Sequence, residues 1–328
     1  MTAPTEAVAG AAVGVVVIGR NESARLADCL DSLRNYGGRI IYADSASTDG
    51  SREIARRRGA FVVEIDESAP LTPARGRNEG FVALLEQYPS CKFVQFVDGD
   101  GVVERGWIEA GAQFLEGHER VAVVCGHVTE ARPGSSIYNW LCGEEWKGSV
   151  GRIDACGGNA MIRVAALKEA GAFRSDLAAG EEAELMTRMR AKGWDIWRLD
   201  APMVIHDADL DNFADWWRRA RRGGFSYADV WWLTKNGAEP LYAQQLRSAL
   251  FWAVGLPSLC VAVSAALGAP FLLLLLPASW LLQTAHIAVR RGALSSKSWI
   301  YAALIMLAKV PEVVGMTRYL RQKIGLVR

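Results

Sequence analysis

From Ser248 to Val289 the chain runs for 42 residues without one Asp, Glu, Lys or Arg. A helix that crosses the hydrocarbon core of a bilayer needs about 20 apolar residues, so this stretch is long enough for two spans and a tight turn. Gly268-Ala-Pro270, near the midpoint, supplies the turn. Arg247 precedes the stretch and Arg290-Arg291 follow it, and positive charge at both ends assigns both to the cytoplasmic side. A buried helical hairpin of a soluble protein is the alternative; the length of the uncharged run favours the membrane.

Beyond the hairpin, residues 290–328 carry eight Lys or Arg against the single acid Glu312. Trp299–Leu307 is apolar, so this tail reads either as a basic amphipathic helix at the interface or as a short third span. The formal net charge of the whole chain is only +1, which argues against a nucleic-acid partner. Six cysteines without a CxxC pair read as small buried residues rather than as a disulfide or zinc framework. The apolar run Val8–Ile18 has neither a basic flank nor a cleavage-site pattern, which argues against a secretory signal and for a catalytic domain kept in the cytosol.

Residues 13 to about 125 alternate β-branched runs with amphipathic, charged stretches. Strands are predicted at Val13–Ile18, Arg39–Ala43, Phe61–Ile65, Phe93–Val97 and Val121–Cys125, with helices at Ser23–Asn35, Ser51–Arg58, Ala74–Gln87 and Gly106–Leu115. Repetition of this kind implies an α/β domain with a mostly parallel sheet. Ligands of such sheets sit at the carboxyl ends of the strands. From Arg132 to about Asp211 the pattern is irregular, with one helix near Glu181–Lys192. The expected organisation is a flexible N-terminus over 1–12, a catalytic domain over 13–224, a connector at 225–247, two transmembrane helices within 248–289, and the tail 290–328.

Two strand ends carry carboxylates. Asp98-Gly-Asp100 follows Phe93-Val-Gln-Phe-Val97, and two acids one residue apart suit a hard divalent cation shared with substrate phosphates. By itself an Asp-Gly-Asp turn is a common structural loop. Asp44 closes another strand and can accept from a base N–H or a ribose hydroxyl, while Asp49 and Ser51 fit turn and capping roles. His206-Asp-Ala-Asp-Leu-Asp211 is not a calcium loop, because the twelfth position counted from Asp207 is Arg218. No GxGxxG follows the first strand, which disfavours a dinucleotide oxidoreductase.

Six segments occur in an order and spacing that resemble family 2 glycosyltransferases over residues 13–224. They are Val15-Val-Val-Ile-Gly-Arg-Asn21-Glu22, Asp44–Gly50, Arg75-Gly-Arg-Asn78-Glu-Gly80, Asp98-Gly-Asp100, Cys156-Gly-Gly-Asn159-Ala-Met-Ile-Arg163 and Gly180-Glu181-Glu182-Ala-Glu-Leu185, with His206 beyond. The resemblance implies a GT-A (Rossmann-like) fold and inverting transfer from a nucleoside-diphosphate sugar with Mg2+ or Mn2+. It implies that Asn21, Glu22 and Asp44 line the nucleotide pocket with Arg77 nearby, that Asp98 faces the ribose, and that Asn159 belongs to the donor site. It implies further that Asp100 holds the metal, that His206 lies near the metal or the diphosphate, a structural histidine being the open alternative, and that Glu182, beside Glu181, is the catalytic base.

The chain departs from the family's usual pattern in three places. Ile18 and Arg20 stand where a Pro and a Tyr are common, Glu182 stands where an Asp is usual, and Arg218-Arg-Ala-Arg-Arg222 lacks the Gln and Trp of the processive members' basic motif. Arg20 and Arg222 are expected to contact the donor, although a surface acid for Arg20 and a membrane-facing collar flanked by Trp216, Trp217, Trp231 and Trp232 for Arg222 are open alternatives. The function expected is sugar transfer to a lipid-linked or glycan acceptor at the cytoplasmic membrane of a bacterium, in surface-polysaccharide or glycolipid synthesis. The competing readings are a processive synthase and an inactive, membrane-tethered nucleotide-binding module.

Overall fold

A computed structural model describes residues 12–36, 38–292 and 294–325. Most of the N-terminus expected to be flexible, residues 1–11, and the last three residues of the basic tail lie outside them. The chain divides into two compact units, Met1–Asp211 and Asn212–Arg328.

The first unit is a nine-stranded mixed sheet with flanking helices. Strands β1 (Val13–Gly19), β2 (Ile40–Asp44), β3 (Phe61–Glu64), β4 (Phe93–Asp98), β5 (Gly101–Val103), β6 (Val121–Glu130), β7 (Gly151–Ile153), β8 (Ala160–Arg163) and β9 (Asp195–His206) lie in the order β3-β2-β1-β4-β8-β6-β9-β5, with β7 on β9. β3, β2, β1 and β4 are mutually parallel. Their runs of Val, Ile, Tyr and Phe are buried almost throughout in β1, β2 and β4, as a sheet covered on both faces requires. The predicted strands and helices of this half recur within a few residues of the expected positions.

The irregular stretch after Arg132 contains strands that the sequence pattern does not reveal. β8 is only four residues long, yet it inserts antiparallel between β4 and β6. β9 pairs with β6 across register shifts at Cys125/His127 and His127/Val128, with Pro202 opposite His127. A proline inside a strand is tolerated at such an irregularity, and it removes the alternation by which a strand is read.

The register brings the strand ends together. Gly19 of β1 lies opposite Asp44 of β2, and Ile18 opposite Asp98 of β4, so both carboxylates emerge at one edge on either side of β1. The helix Pro73–Gln87 lies tightly on β1 and β2 because Gly80 has no side chain. A Cβ there would come within 2.5 Å of Val16 Cγ1.

In the second unit, three helical segments are long and apolar enough to cross a membrane: Ala243–Leu267, Pro270–Arg290 and Ser296–Lys323. The first contains a π turn at Phe251–Gly255 just ahead of Pro257, which lacks an N–H for the α-helical ladder. It ends at Gly268, whose φ of 59° lies in the left-handed region, and the next segment starts at Pro270. Leu267, Phe271, Leu274, Leu281 and Leu282 are each more than two-thirds exposed, as lipid-facing side chains would be. In the third segment the helix Ser296–Leu307 gives way at Ala308 to Lys309–Lys323.

The helix Lys309–Lys323 packs on the Trp/Arg-rich helix Phe213–Thr234 through glycines. A Cβ on Gly224 would lie 2.0 Å from the Glu312 carbonyl oxygen, and one on Gly315 would lie 2.0 Å from that of Arg221. Backbone cannot yield as a side chain does. Gly224→Ala and Gly315→Ala are therefore each expected to cost about 1–3 kcal/mol of stability, read as a lower thermal midpoint in detergent. Unchanged melting of both variants would refute the close crossing.

Candidate active site

The loops that follow β1 and β2 are laced to each other. Asn21 takes a left-handed φ of 58°. Its N–H donates to Ser47 Oγ at 2.9 Å, and its Oδ1 accepts from the Thr48 N–H at 2.8 Å. The Glu22 N–H donates to Ser51 Oγ, and the Ser23 N–H to Asp49 Oδ2, both at 3.0 Å. Burial raises the proton affinity of Asp49, but the donors from Ser51 and Ser23 outweigh it and hold the carboxyl down at about 2. Asp49 is thus the turn residue its sequence context suggests, and it bonds the first N–H of two helices although the N-cap positions themselves are Glu22 and Gly50. Asn21, expected to line the nucleotide pocket, also ties the two loops together through its amide. Arg20 is exposed beside it. Asp44 is wholly buried; its Oδ1 accepts from the Ser47 N–H at 2.9 Å, and its Oδ2 has no partner among the described residues.

On the other side of β1, one guanidinium draws three acids together. Arg77, on the helix Pro73–Gln87, is 3% exposed. Its Nη2 donates to Asp98 Oδ1 at 3.0 Å, and its Nη1 to Glu181 Oε1 at 2.6 Å, with Glu182 Oε1 3.4 Å from the same nitrogen. Asn159, just before β8, donates from Nδ2 to Asp98 Oδ2 at 3.1 Å and accepts the Asp98 N–H on Oδ1 at 3.0 Å. Burial works against the charge on Arg77, and the carboxylates of Glu182, Asp98 and Glu181 override it and raise its pKa.

Glu181 and Glu182 open the helix Glu181–Ala191 directly after Gly180, whose φ of 84° sets the entry. Adjacent residues in a first helical turn are expected to point differently, yet both carboxylates converge on Arg77 Nη1, Glu181 at 2.6 Å and Glu182 at 3.4 Å. Glu181 is 2% exposed and bound to Arg77, whereas Glu182 is 19% exposed. Burial first, and the Glu181 carboxylate second, push the Glu182 carboxyl up to about 7 against the pull of Arg77. Such a value suits a group that must take up a proton near neutral pH.

Asp100 and His206 meet beside this cluster. His206, at the end of β9 and paired with Gly101 of β5, places Nε2 at 3.3 Å from Asp100 Oδ1 and 3.9 Å from Asp98 Oδ2. Its Nδ1 is buried and has no hydrogen-bond partner among the described residues. Burial raises the pKa of Asp100, with Asp98 adding to the effect, and Glu22 is raised by burial and then by Asp100. Negative charge is therefore crowded here. Among the described residues no three His, Cys, Asp or Glu side chains close into a protein-only cage. An open pair of one carboxylate and one imidazole nevertheless fits a divalent ion of the Mn2+ kind that leaves its remaining positions to water and phosphate oxygens.

Arg77, Asp98, Asp100, Asn159, Glu181, Glu182 and His206 thus form one cluster, with Glu22 next to Asp100, while Asp44 and Asn21 stand across β1. Arg222 is exposed on the helix Phe213–Thr234 of the second unit.

Several contributors were not evident from sequence. A Cβ on Gly158 would lie 1.8 Å from Arg77 Nη2, so the glycine makes the space in which the guanidinium lies. The Phe173 ring centroid is 5.7 Å from the Arg77 guanidinium carbon. The Trp146 ring meets His206 edge-on at 5.2 Å. Arg25 bonds Glu22 at 2.9 Å and reaches Asp209 at 3.7 Å. The second glycine of Cys156-Gly-Gly-Asn159 was the one available signal. Asp207 and Asp209, set aside as a calcium loop, are held by Arg132 at 2.9 and 3.2 Å.

Residues 14–171 match the family described as Glycosyl transferase family 2, and residues 93–309, more than half of the chain, match Glycosyl transferase family group 2. The chain belongs to glycosyl transferase family 2. The chain is 24% identical over 208 residues to the succinoglycan biosynthesis protein ExoA of Rhizobium meliloti, a match covering 58% of the chain and 62% of ExoA, less than two thirds of that protein's length. It is 22% identical over 247 residues to the glycosyltransferase AglE of Haloferax volcanii, covering 71% of the chain and 79% of AglE. Among solved structures, the mannosyltransferase PcManGT of Pyrobaculum calidifontis, in complex with GDP-Man and Mn2+, superposes with a TM-score of 0.61 at 20% identity, over 93% of this chain and 87% of that one. The glycosyltransferase therefore has the GT-A fold expected of it.

Proposed function

We propose that this protein transfers a sugar from a nucleoside-diphosphate sugar to a hydroxyl of a lipid-linked or glycan acceptor, with inversion at the anomeric carbon. The observation that carries the reading is the Arg77 cluster, which places Asp98 and the raised Glu182 on one guanidinium, next to the Asp100–His206 pair. Asp44 and Asn21 on one side of β1, with Asp98, Asn159 and Arg77 on the other, hold and orient the nucleotide. Glu182 accepts the proton of the acceptor hydroxyl as its oxygen attacks the anomeric carbon, which inverts that centre in a single displacement. Glu181, bound to Arg77, fixes the start of the helix and with it the direction of Glu182. Asp100 and His206 are the residues that would hold a divalent ion, Mg2+ or Mn2+. Bound there, the ion supplies electrostatic stabilisation for the charge that the leaving diphosphate gains. The Mn2+ of the Pyrobaculum calidifontis mannosyltransferase structure supports this choice, and the succinoglycan relative supports a surface-polysaccharide or glycolipid product.

Two apolar helical segments, Ala243–Leu267 and Pro270–Arg290, with basic residues at their outer ends, support a multi-pass protein of the cytoplasmic membrane whose catalytic unit faces the cytoplasm, while the third segment's Lys309–Lys323 packs on Phe213–Thr234 ahead of the first span. The test uses the full chain in detergent with a panel of nucleotide sugars. Donors that bind raise the thermal midpoint, and one of them releases nucleoside diphosphate when acceptor is added. Chelation by EDTA is expected to abolish that release, and Mn2+ or Mg2+ to restore it. Full turnover in EDTA would refute the metal role, and binding without turnover of any donor would favour an inactive module.

A further inference from the structure

The loop that carries His206 into the site is held by a buried polar bracket that neither the sequence motifs nor the proposed chemistry uses. Glu130, the last residue of β6, is 4% exposed, and Asn139, in the helix Ile137–Glu145, is 0% exposed. Glu130 Oε1 accepts from the Arg132 N–H at 2.9 Å and from Asn139 Nδ2 at 3.2 Å, and its Oε2 accepts from the Ala208 N–H at 2.9 Å. Asn139 Oδ1 accepts from the Leu210 N–H at 2.8 Å, and Ser136 Oγ donates to the Leu210 carbonyl at 2.5 Å. Glu130 and His206 are also register partners between β6 and β9, and the Ala131 N–H donates to the His206 carbonyl at 2.9 Å.

The helix closes the bracket from its other end. Trp146, immediately after the helix, packs its ring edge-on against His206, and Gly143 lets the helix approach so closely that a Cβ there would be 3.1 Å from Glu130 Cβ. The loop 207–211 makes no ladder bonds of its own, and it is held from outside by Arg132 on the Asp207 and Asp209 carboxylates and from inside by this bracket on its main chain. Satisfying two main-chain N–H groups of that loop, at Ala208 and Leu210, with fully buried side chains leaves His206 little freedom in backbone direction.

We propose that Glu130 and Asn139 are positioning residues that present the His206 imidazole to Asp100 and to the cation held there. The proposal rests on the metal role given to His206 above, and the experiment separates the two. Mn2+ is titrated into the full-length protein in detergent with inorganic pyrophosphate present, and free Mn2+ is followed by electron paramagnetic resonance. The variants are His206→Ala, Glu130→Gln, Asn139→Ala and Gly143→Ala, together with the double variant Glu130→Gln/His206→Ala. Loss of a partner that orients a metal ligand typically weakens metal binding about 10–100-fold. Glu130→Gln and Asn139→Ala are expected to weaken Mn2+ binding at least about tenfold, and Gly143→Ala, which crowds the bracket without unsatisfying it, by less.

The decisive readout is coupling. If Glu130 acts through His206, the double variant binds Mn2+ no more weakly than His206→Ala alone. A residue of merely structural importance would instead add its effect to that of His206→Ala. Additive losses, or Mn2+ affinity unchanged in Glu130→Gln and Asn139→Ala while His206→Ala weakens it, overturn this proposal alone. Unchanged affinity in His206→Ala overturns the metal reading of the site with it. Should Glu130→Gln fail to fold, Gly143→Ala in the same cycle with His206→Ala decides.

Discussion

Replacing Glu182 by Gln is expected to lower kcat by about 10²–10⁴-fold, the contribution usual for a positioned general base. Gln fills the same space and keeps a polar tip beside Arg77 Nη1, 3.4 Å away in the parent, but it takes up no proton. The wild-type pH profile follows from the raised carboxyl. Glu182 works only when ionised, so kcat should fall about tenfold per unit as the pH drops below about 7, and Glu182→Asp should keep that limb at a lower plateau.

Stability should move the other way. The folded protein binds this proton more tightly than the unfolded chain, whose Glu has its usual value of 4.5, so stability is lost as the pH rises from 4.5 to 7. Glu182→Gln removes that loss, and its thermal midpoint should exceed the parent's at pH 8 and converge on it at lower pH. Nucleoside-diphosphate release and thermal melts across pH check both halves. Full activity in the Gln variant, or a parent profile flat from pH 5 to pH 8, would sink the assignment.

The second large effect concerns folding. Arg77→Leu leaves Glu181, 2% exposed, facing Asp98 and Glu182 without a counter-charge. Removing one partner of a buried ion pair typically costs about 3–5 kcal/mol. A change of that size lowers the thermal midpoint by roughly 10 °C in a unit of this length. Arg77→Lys should recover part of the loss, since a point charge replaces the fork that now serves Asp98 and Glu181 at once. Arg77→Leu combined with Glu181→Leu should recover stability without recovering turnover. Melting of Arg77→Leu within 2 °C of the parent would show that the cluster is not held by its guanidinium.

The parallel half of the sheet was legible because each of its four strands is a compact apolar run set off by a charged helix, and one physical signal therefore repeats four times. The acids at the ends of β2 and β4 were legible for the same reason: the end of a strand can be located without knowing its neighbours. β8 and β9 were not legible. Four residues carry too little alternation, and Pro202 with its bulge breaks the period of the longer strand.

Pairings were hidden for a different reason. Arg77 and Glu181 are 104 positions apart, and nothing local to either says that one neutralises the other. Glu130 and Asn139 read as an ordinary acid and an ordinary amide. Only the fold shows that both are buried and what they hold. The membrane segments sit at the opposite extreme, since their composition alone announces them.

Because β8 runs against β4, it lends the catalytic edge its beginning rather than its end. A parallel neighbour would have sent Asn159 to the far side of the sheet, and Asp98 would face β6 without an amide. It follows that insertions at the two flanks of this short strand press on different structures. Added length between Asp154 and Gly158 pushes directly on the Asp98–Asn159 pair, whereas Arg163 at the other end is the N-cap residue of the helix Val164–Ala170, which follows on the opposite rim.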